Sequence, residues 1–278
     1  MIMKINEAAM DLNLQDLAYH RQIAHLIDAL DKPNFWVSLI RTLRNFIEFD
    51  NWVVLGFSSH EKPVVYIESR APDSAVDLLF QDYLNGLYLF DPFFLASRER
   101  SESGLFLLDE VAPENFSSTD YYRLYFQLNI VADEIQFNCS IDEQYTLCVS
   151  LGRGSKFRLE EIALLSVIES WVVALMQQRE HFEDVRQPVH VNKMDMNWQG
   201  AVERAVSKIK GTKLTGREVE ISQLMLSGFS AKNIAEKLKI SIETVRAHKK
   251  HIYTKLDINS QSELFAIFYQ AQTGNADE

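Results

Sequence analysis

The chain has 278 residues, 47% of them hydrophobic and 24% charged, with a formal net charge of −11. That length is long for one core and comfortable for two domains, and the composition is that of a globular protein. No apolar run approaches the roughly 18 residues a membrane helix needs, and the N-terminus lacks a basic segment followed by an apolar core. The acidity by itself argues against a nucleic-acid partner, but its distribution reverses that inference. Lys208–Gln270 holds eleven Lys/Arg against six Asp/Glu, a net +5, and Ala271–Glu278 carries −2, which leaves Met1–Ser207 at −14. A basic module joined to an acidic partner domain is the pattern of a nucleic-acid binder under control.

In chain order, Leu14, Leu17, Ile23, Leu26, Ile27 and Leu30 recur at helical spacing. Asp31–Asn34 breaks that helix, and Asn34 is placed to cap a second one through about Ile47. The period then changes. Trp52–Phe57 and Val64–Ile67 are β-branched and aromatic, separated by Ser58–Pro63, and read as a hairpin. Pro72–Ser74 opens a helix to about Asn85, a second spans Asp91–Arg100, and Gly104–Leu108 is a short apolar strand. Ser117–Phe126 starts another helix. Ile135, Phe137, Cys139 and Ile141 alternate with Gln136, Asn138 and Ser140, the pattern of a half-buried strand. Tyr145–Leu151 pairs with it through a turn near Asp142–Gln144. Parity then sets Cys139 opposite Leu147 and points Cys148 to the other face, so the two thiols stay reduced, as fits a cytoplasmic protein. A long helix from Leu159 to about Phe182 closes the domain.

The expected fold is α+β. Residues 1–182 form an α-β-α sandwich sensor-like domain on an antiparallel sheet, 183–207 a linker that includes a short helix from Trp198, 208–270 an all-α four-helix module, and 271–278 a disordered tail. In the module Thr215-Gly-Arg-Glu218 has capping-box spacing, Ser230 and Ser241 cap the next two helices, and Ser260-Gln-Ser-Glu263 is a second capping box. The third helix carries Val245, Ile252 and Leu256 on one face and Arg246, Lys249 and Lys250 on another. His248 and His251 stand three apart without a carboxylate or cysteine at ligand spacing, so they are not a metal pair.

The run from Leu214 to Leu264, with Leu-Thr-Gly-Arg-Glu, Gly-Phe-Ser-Ala-Lys-Asn-Ile-Ala and Ser-Ile-Glu-Thr-Val-Arg-Ala-His, resembles the four-helix DNA-binding domain of the LuxR family of transcription regulators. The resemblance implies a helix-turn-helix on double-stranded DNA, with Arg246, Ala247 and Lys250 facing base edges. Thr244, Lys249, Lys232 and Lys255, with the cap residues Ser230 and Ser241, would lie along the phosphates. Gln261 stands where the family often has Arg.

The N-terminal layout resembles the ligand-binding domain of the acyl-homoserine-lactone-responsive members, a quorum-sensing-like sensor. Asp91-Pro92 matches the family's Asp-Pro, and Phe106 takes the position of a family Trp without its indole N–H. Tyr83 lies one residue from the family's Tyr. The implied pocket would hold a small apolar or amphipathic ligand, not clearly such a lactone. Its candidate lining is Asp91, Phe106, Tyr83, Trp52, Tyr66, Phe93 and Phe137, with Tyr88, Phe90, Tyr121 and Tyr122 as further aromatic candidates. A homodimer and contact with RNA polymerase are further expectations. No cofactor is implied, and no phosphate loop, metal cluster or nucleophile motif points to an enzyme. The competing reading is a DNA-binding dimer that is constitutive or partner-regulated, with a ligand-free interaction module at its N-terminus.

Overall fold

The structure is a computed structural model that describes residues 17–58, 61–69, 78–99, 102–129, 132–183, 203, 206, 207 and 210–273. The expected opening of a helix at Pro72–Ser74, most of the 183–207 linker with its helix, and the tail beyond Thr273 lie outside them.

Five strands form one antiparallel sheet in the order β2-β1-β5-β4-β3: β1 Asn51–Ser58, β2 Val64–Glu68, β3 Gly104–Leu107, β4 Asp133–Ser140 and β5 Tyr145–Arg153. The β4–β5 hairpin pairs Cys139 with Leu147 and Asn138 with Cys148. Because side chains alternate along each strand, that register divides the sheet into two faces. Ile135, Phe137, Cys139, Leu147, Val149 and Leu151 pack with Val54 against helices α1 (Leu17–Asp28), α2 (Phe35–Leu43) and α7 (Leu159–Glu180). Leu55, Phe57 and Cys148 face the other way, toward α3 (Leu78–Leu84), the 3-10 turn Leu87–Phe90, α4 (Pro92–Glu99) and the segments through Phe126. Both cysteines are buried free thiols, one on each face.

Four expectations about these elements need correction. Asn34 makes no side-chain cap bond, and α2 ends at Leu43. The stretch Ser117–Phe126 is not one helix but a 3-10 turn, Phe116–Ser118, followed by a π turn, Tyr122–Phe126. Thr119 explains the break: its Oγ1 donates to the Phe116 carbonyl at 2.7 Å and accepts from the Tyr122 N–H at 3.0 Å, displacing helical backbone bonds. Beyond Leu107 the chain enters a short helix, α5 (Leu108–Val111), and a single turn, α6 (Gln127–Asn129), precedes β4. Finally, β4 is not half-buried: every residue from Asp133 to Cys139 is buried. Its polar alternates Glu134, Gln136 and Asn138 lie under the second layer, not in water.

The C-terminal module is four helices: α8 Gly216–Leu226, α9 Ala231–Leu238, α10 Ile242–Leu256 and α11 Gln261–Thr273. Their starts are fixed by caps. Thr215 Oγ1 accepts from Glu218 N (3.3 Å) while Glu218 Oε2 accepts from Thr215 N (2.8 Å). Ser230 and Ser241 accept from Asn233 N and Thr244 N at 3.2 and 3.0 Å, and Ser260 accepts from Glu263 N at 3.1 Å. Each such bond satisfies an N–H with no partner inside its helix, for about 1 kcal/mol. Val219, Ile234, Val245, Ile252, Leu256, Leu264 and Phe268 fill the module's core.

The module is docked on the N-terminal domain. Gln223 Nε2 donates to the Leu89 carbonyl (2.9 Å), Asn115 N donates to the Gly228 carbonyl (3.2 Å), and Asn233 Nδ2 donates to Glu114 Oε2 (2.8 Å). Lys237 pairs with Glu99, and the Phe90 and Phe265 rings lie 5.5 Å apart. Gly228 has φ +102°, and a Cβ there would stand 2.9 Å from Phe116 N and 3.0 Å from Asn115 C. Both strain and backbone contact therefore demand glycine. Gly228→Ala is expected to destabilise the chain by about 2 kcal/mol, read as a lowered urea midpoint; an unchanged midpoint would mean that the close approach of the two domains is not maintained.

Candidate functional site

Two places gather the residues singled out by sequence. The first is α10. Its N-terminus is set by Ser241, whose Oγ also lies 3.0 Å from Thr244 Oγ1, and Val245, Ile252 and Leu256 anchor one face in the core. That leaves Thr244, Arg246, Ala247, Lys249 and Lys250 exposed together on the outer side. Lys249 Nζ lies 5.4 Å from the Tyr253 ring centroid, a cation–π contact that leaves the ammonium in solvent. Lys232 is exposed on α9, 4.0 Å from Glu236. Ser230 is half-buried as the α9 cap.

Lys255 has a second engagement: its Nζ is bonded to Glu218 Oε2 at 2.7 Å, although its side chain stays 37% exposed. Burial would raise the Glu218 carboxyl, but the bonds from Lys255 and Thr215 outweigh it and hold the group below its ordinary range. Gln261 has a structural use: its Nε2 donates to the Met225 carbonyl at 2.7 Å and so joins α11 to the end of α8.

The second place is a cavity of about 60 Å³ on the Cys148 face of the sheet. Of the seven candidate ligand residues, Trp52, Tyr83 and Asp91 line it. The other four do not. Phe137 is fully buried on the opposite face of the sheet, and Tyr66 packs on that side against Trp36, with its hydroxyl 2.8 Å from that of Tyr145. Phe93 and Phe106 belong to the right layer but are buried away from the cavity. Residues that sequence reasoning missed take their place: Glu134 and Gln136 from β4, Ser150 from β5, and Tyr125; Tyr121, one of the further aromatic candidates, lines it as well.

Asp91 organises this site. Leading into α4, it accepts from the Tyr83 hydroxyl at 2.7 Å and from Phe93 N at 2.8 Å. Burial pushes its carboxyl up to about 6 against those bonds, which favour the charged form. Glu134 is held well above its ordinary value, first by burial and then by the nearby Asp91 charge, although Ser150 Oγ hydrogen-bonds to it. Burial also pushes the Tyr83 and Tyr121 phenols well up. The site is thus a small polar chamber with carboxyl groups in an aromatic wall.

Comparison with known proteins finds relatives for both parts of the chain. Residues 212–268 match the family model described as bacterial regulatory proteins, luxR family. An HTH-type transcriptional regulator from the exeN 3′ region of Aeromonas salmonicida is 28% identical over 182 residues, 64% of this chain and 92% of its own length. The oxygen regulatory protein NreC of Staphylococcus haemolyticus is 55% identical over 51 residues, only 24% of its length. Among solved structures, the VqsR LBD domain from Pseudomonas aeruginosa is similar with 42% identity and a TM-score of 0.56, over 61% of this chain and 100% of that one.

Proposed function

From the premise that the chain belongs to the luxR family of bacterial regulatory proteins and is a DNA-binding transcriptional regulator, we propose that a small molecule in the Asp91 cavity controls it. The observation that carries this reading is the short turn Leu87–Phe90. One end runs into Asp91 in the cavity wall, while the Leu89 carbonyl and the Phe90 ring hold Gln223 and Phe265 of the DNA-binding module. A ligand that moves Asp91 acts directly on the element to which the module is fastened, which is the differential contact a two-state switch requires. In the docked form the Arg246 face is open, but the module's position relative to a second module is dictated by the domain beneath it. Half-sites about one helical turn apart need a particular spacing. Undocking frees the module to take it up.

The homodimer belongs to the same reading, and Leu159 and Val167, 80% and 61% exposed on α7, offer an apolar face for it. Phosphate contacts fall to Lys232, Lys249 and Thr244 in this reading, with base contacts at Arg246, Ala247 and Lys250. We also assign residues 1–182 to sensing and 208–270 to DNA.

The test is Glu99→Lys, an exposed rim change that sets two cations face to face across the docking surface. The variant is expected to bind a duplex carrying two half-sites several-fold more tightly than the parent, measured by fluorescence anisotropy at fixed salt. Equal affinities would remove docking as the means of control.

A further inference from the structure

The cavity's chemistry specifies a class of ligand, and this step rests on the reading that the cavity is the control site. Among the described residues its lining includes three carboxyl side chains, Glu68, Asp91 and Glu134, and no Lys, Arg or His. Asp91 and Glu134 are both buried, and their hydrogen bonds come from neutral donors only: Tyr83, the Phe93 N–H and Ser150. A buried carboxylate without a counter-charge either stays protonated or waits for a cation.

A second observation is independent of the acids. Tyr121 is 1% exposed and lines the cavity, yet its hydroxyl has no hydrogen-bond partner among the described residues. That hydroxyl is a vacant position for a ligand's donor or acceptor. Around it Phe80, Tyr83 and Tyr125 supply aromatic surface, with the Tyr83 and Tyr125 rings stacked 5.2 Å apart. Carboxyl groups with aromatic walls and no basic side chain form the environment that ammonium groups seek. Size narrows the choice further. A cavity of about 60 Å³ exceeds the roughly 10–15 Å³ that one water needs and admits a small head group, but it lies well below the several hundred Å³ of a drug-sized site.

We propose that the cavity binds the amine head of a small cationic ligand, with Asp91 and Glu134 as its counter-charges and the Tyr121 hydroxyl as an acceptor. The ammonium supplies the donors that none of the lining carboxyls can supply in its charged form. Asp91 and Glu134 hold protons more readily than ordinary carboxyls, so the cation displaces a proton as it enters. The other titratable groups facing the pair are Tyr83, Tyr121, Tyr125 and Cys148, with Asp133 next along β4, and none of them is a base that could take a cation's place.

The experiment is calorimetric titration of the full chain with ethanolamine, 1,4-diaminobutane and methylamine. The neutral counterparts are ethylene glycol and 1,4-butanediol, and N-butyryl-homoserine lactone is the lactone arm, all at matched ionic strength. At least one amine is expected to bind tenfold or more tightly than its neutral counterpart, and to release protons, seen as a heat that changes with the buffer's ionisation enthalpy. Glu134→Gln and Asp91→Asn are expected to weaken it at least tenfold. Thermal melting of each variant, checked first, confirms that it is folded, and Glu134→Gln removes charge without changing shape. Binding of the lactone or a diol with no binding of any amine overturns the cation assignment and keeps the cavity as a ligand site. No binding by any of the six compounds overturns both.

Discussion

Replacing Arg246 or Lys250 by Ala is expected to lower affinity for a specific duplex by about 1–3 kcal/mol each, roughly 5- to 150-fold, and to flatten the preference for one sequence over another. The reason is positional. Val245, Ile252 and Leu256 lock one face of α10 into the module, and Ser241 fixes where the helix begins. The opposite face can enter a major groove only as a rigid unit, and Arg246, Ala247 and Lys250 stand on its exposed side. Lys232→Ala provides the contrast. Exposed on α9, away from the groove-facing helix, it would meet phosphate, so its loss should weaken all sequences alike and reduce the salt slope by about one. Lys255→Ala should act differently again, because its ammonium is tied to Glu218. It removes a structural bond, and its effect should appear in the melting temperature before it appears in the salt slope. Binding isotherms against a specific and a scrambled duplex at three salt concentrations separate the cases. Uniform losses for Arg246, Lys250 and Lys232 would cancel the division into base-reading and phosphate-holding residues.

The features legible in the sequence were those whose causes are local. Thr215, Ser230, Ser241 and Ser260 cap helices through bonds that span three residues, so spacing alone locates them. The β4–β5 register followed from the turn and from parity, which set Phe137 on one face with Ile135 and Cys139. Parity does not tell which face holds the cavity, and Phe137 was therefore wrongly included in its lining. What period-2 alternation does not contain is whether the polar side of a strand meets water or a second layer. Glu134, Gln136 and Ser150 were therefore hidden, although Asp91, Tyr83 and Trp52 were found. The docking of the module was hidden for a different reason. Gln223 and Leu89 are 134 residues apart, and nothing near either of them marks the other. Asn34 and Ser117–Phe126 failed because a cap-forming residue type permits a cap without requiring one.

The same buried carboxyls make stability depend on pH in an unusual direction, and this is the second large effect. Asp91 titrates at about 6 in the folded chain, against an ordinary value of 3.8, and Glu134 lies well above its own. A native state that binds protons more tightly than the unfolded chain loses stability as pH rises. The contribution is complete below about 4 and disappears through the folded value, near 6 for Asp91 and higher for Glu134. For Asp91 a rise from 3.8 to about 6 is worth on the order of 3 kcal/mol. Glu161 and Glu218 act in the opposite sense, since Arg153, Arg158, Lys255 and backbone N–H groups hold them low. Their contribution is present above the ordinary glutamate value and lost only at lower pH. Between pH 5 and 8 the slope therefore belongs to the raised pair. Urea unfolding of the full chain at unit steps of pH should show the midpoint falling from pH 5 to 8. Glu134→Gln should remove its share of that fall without lowering stability at pH 8, because the amide keeps a neutral partner for Ser150 and carries no charge beside Asp91. A parent and a Glu134→Gln variant whose midpoints run parallel across this range would show that the two carboxyls are not confined together in a dry site. The cation assignment would then lose its physical basis as well, since a carboxylate already solvated has no need of an ammonium.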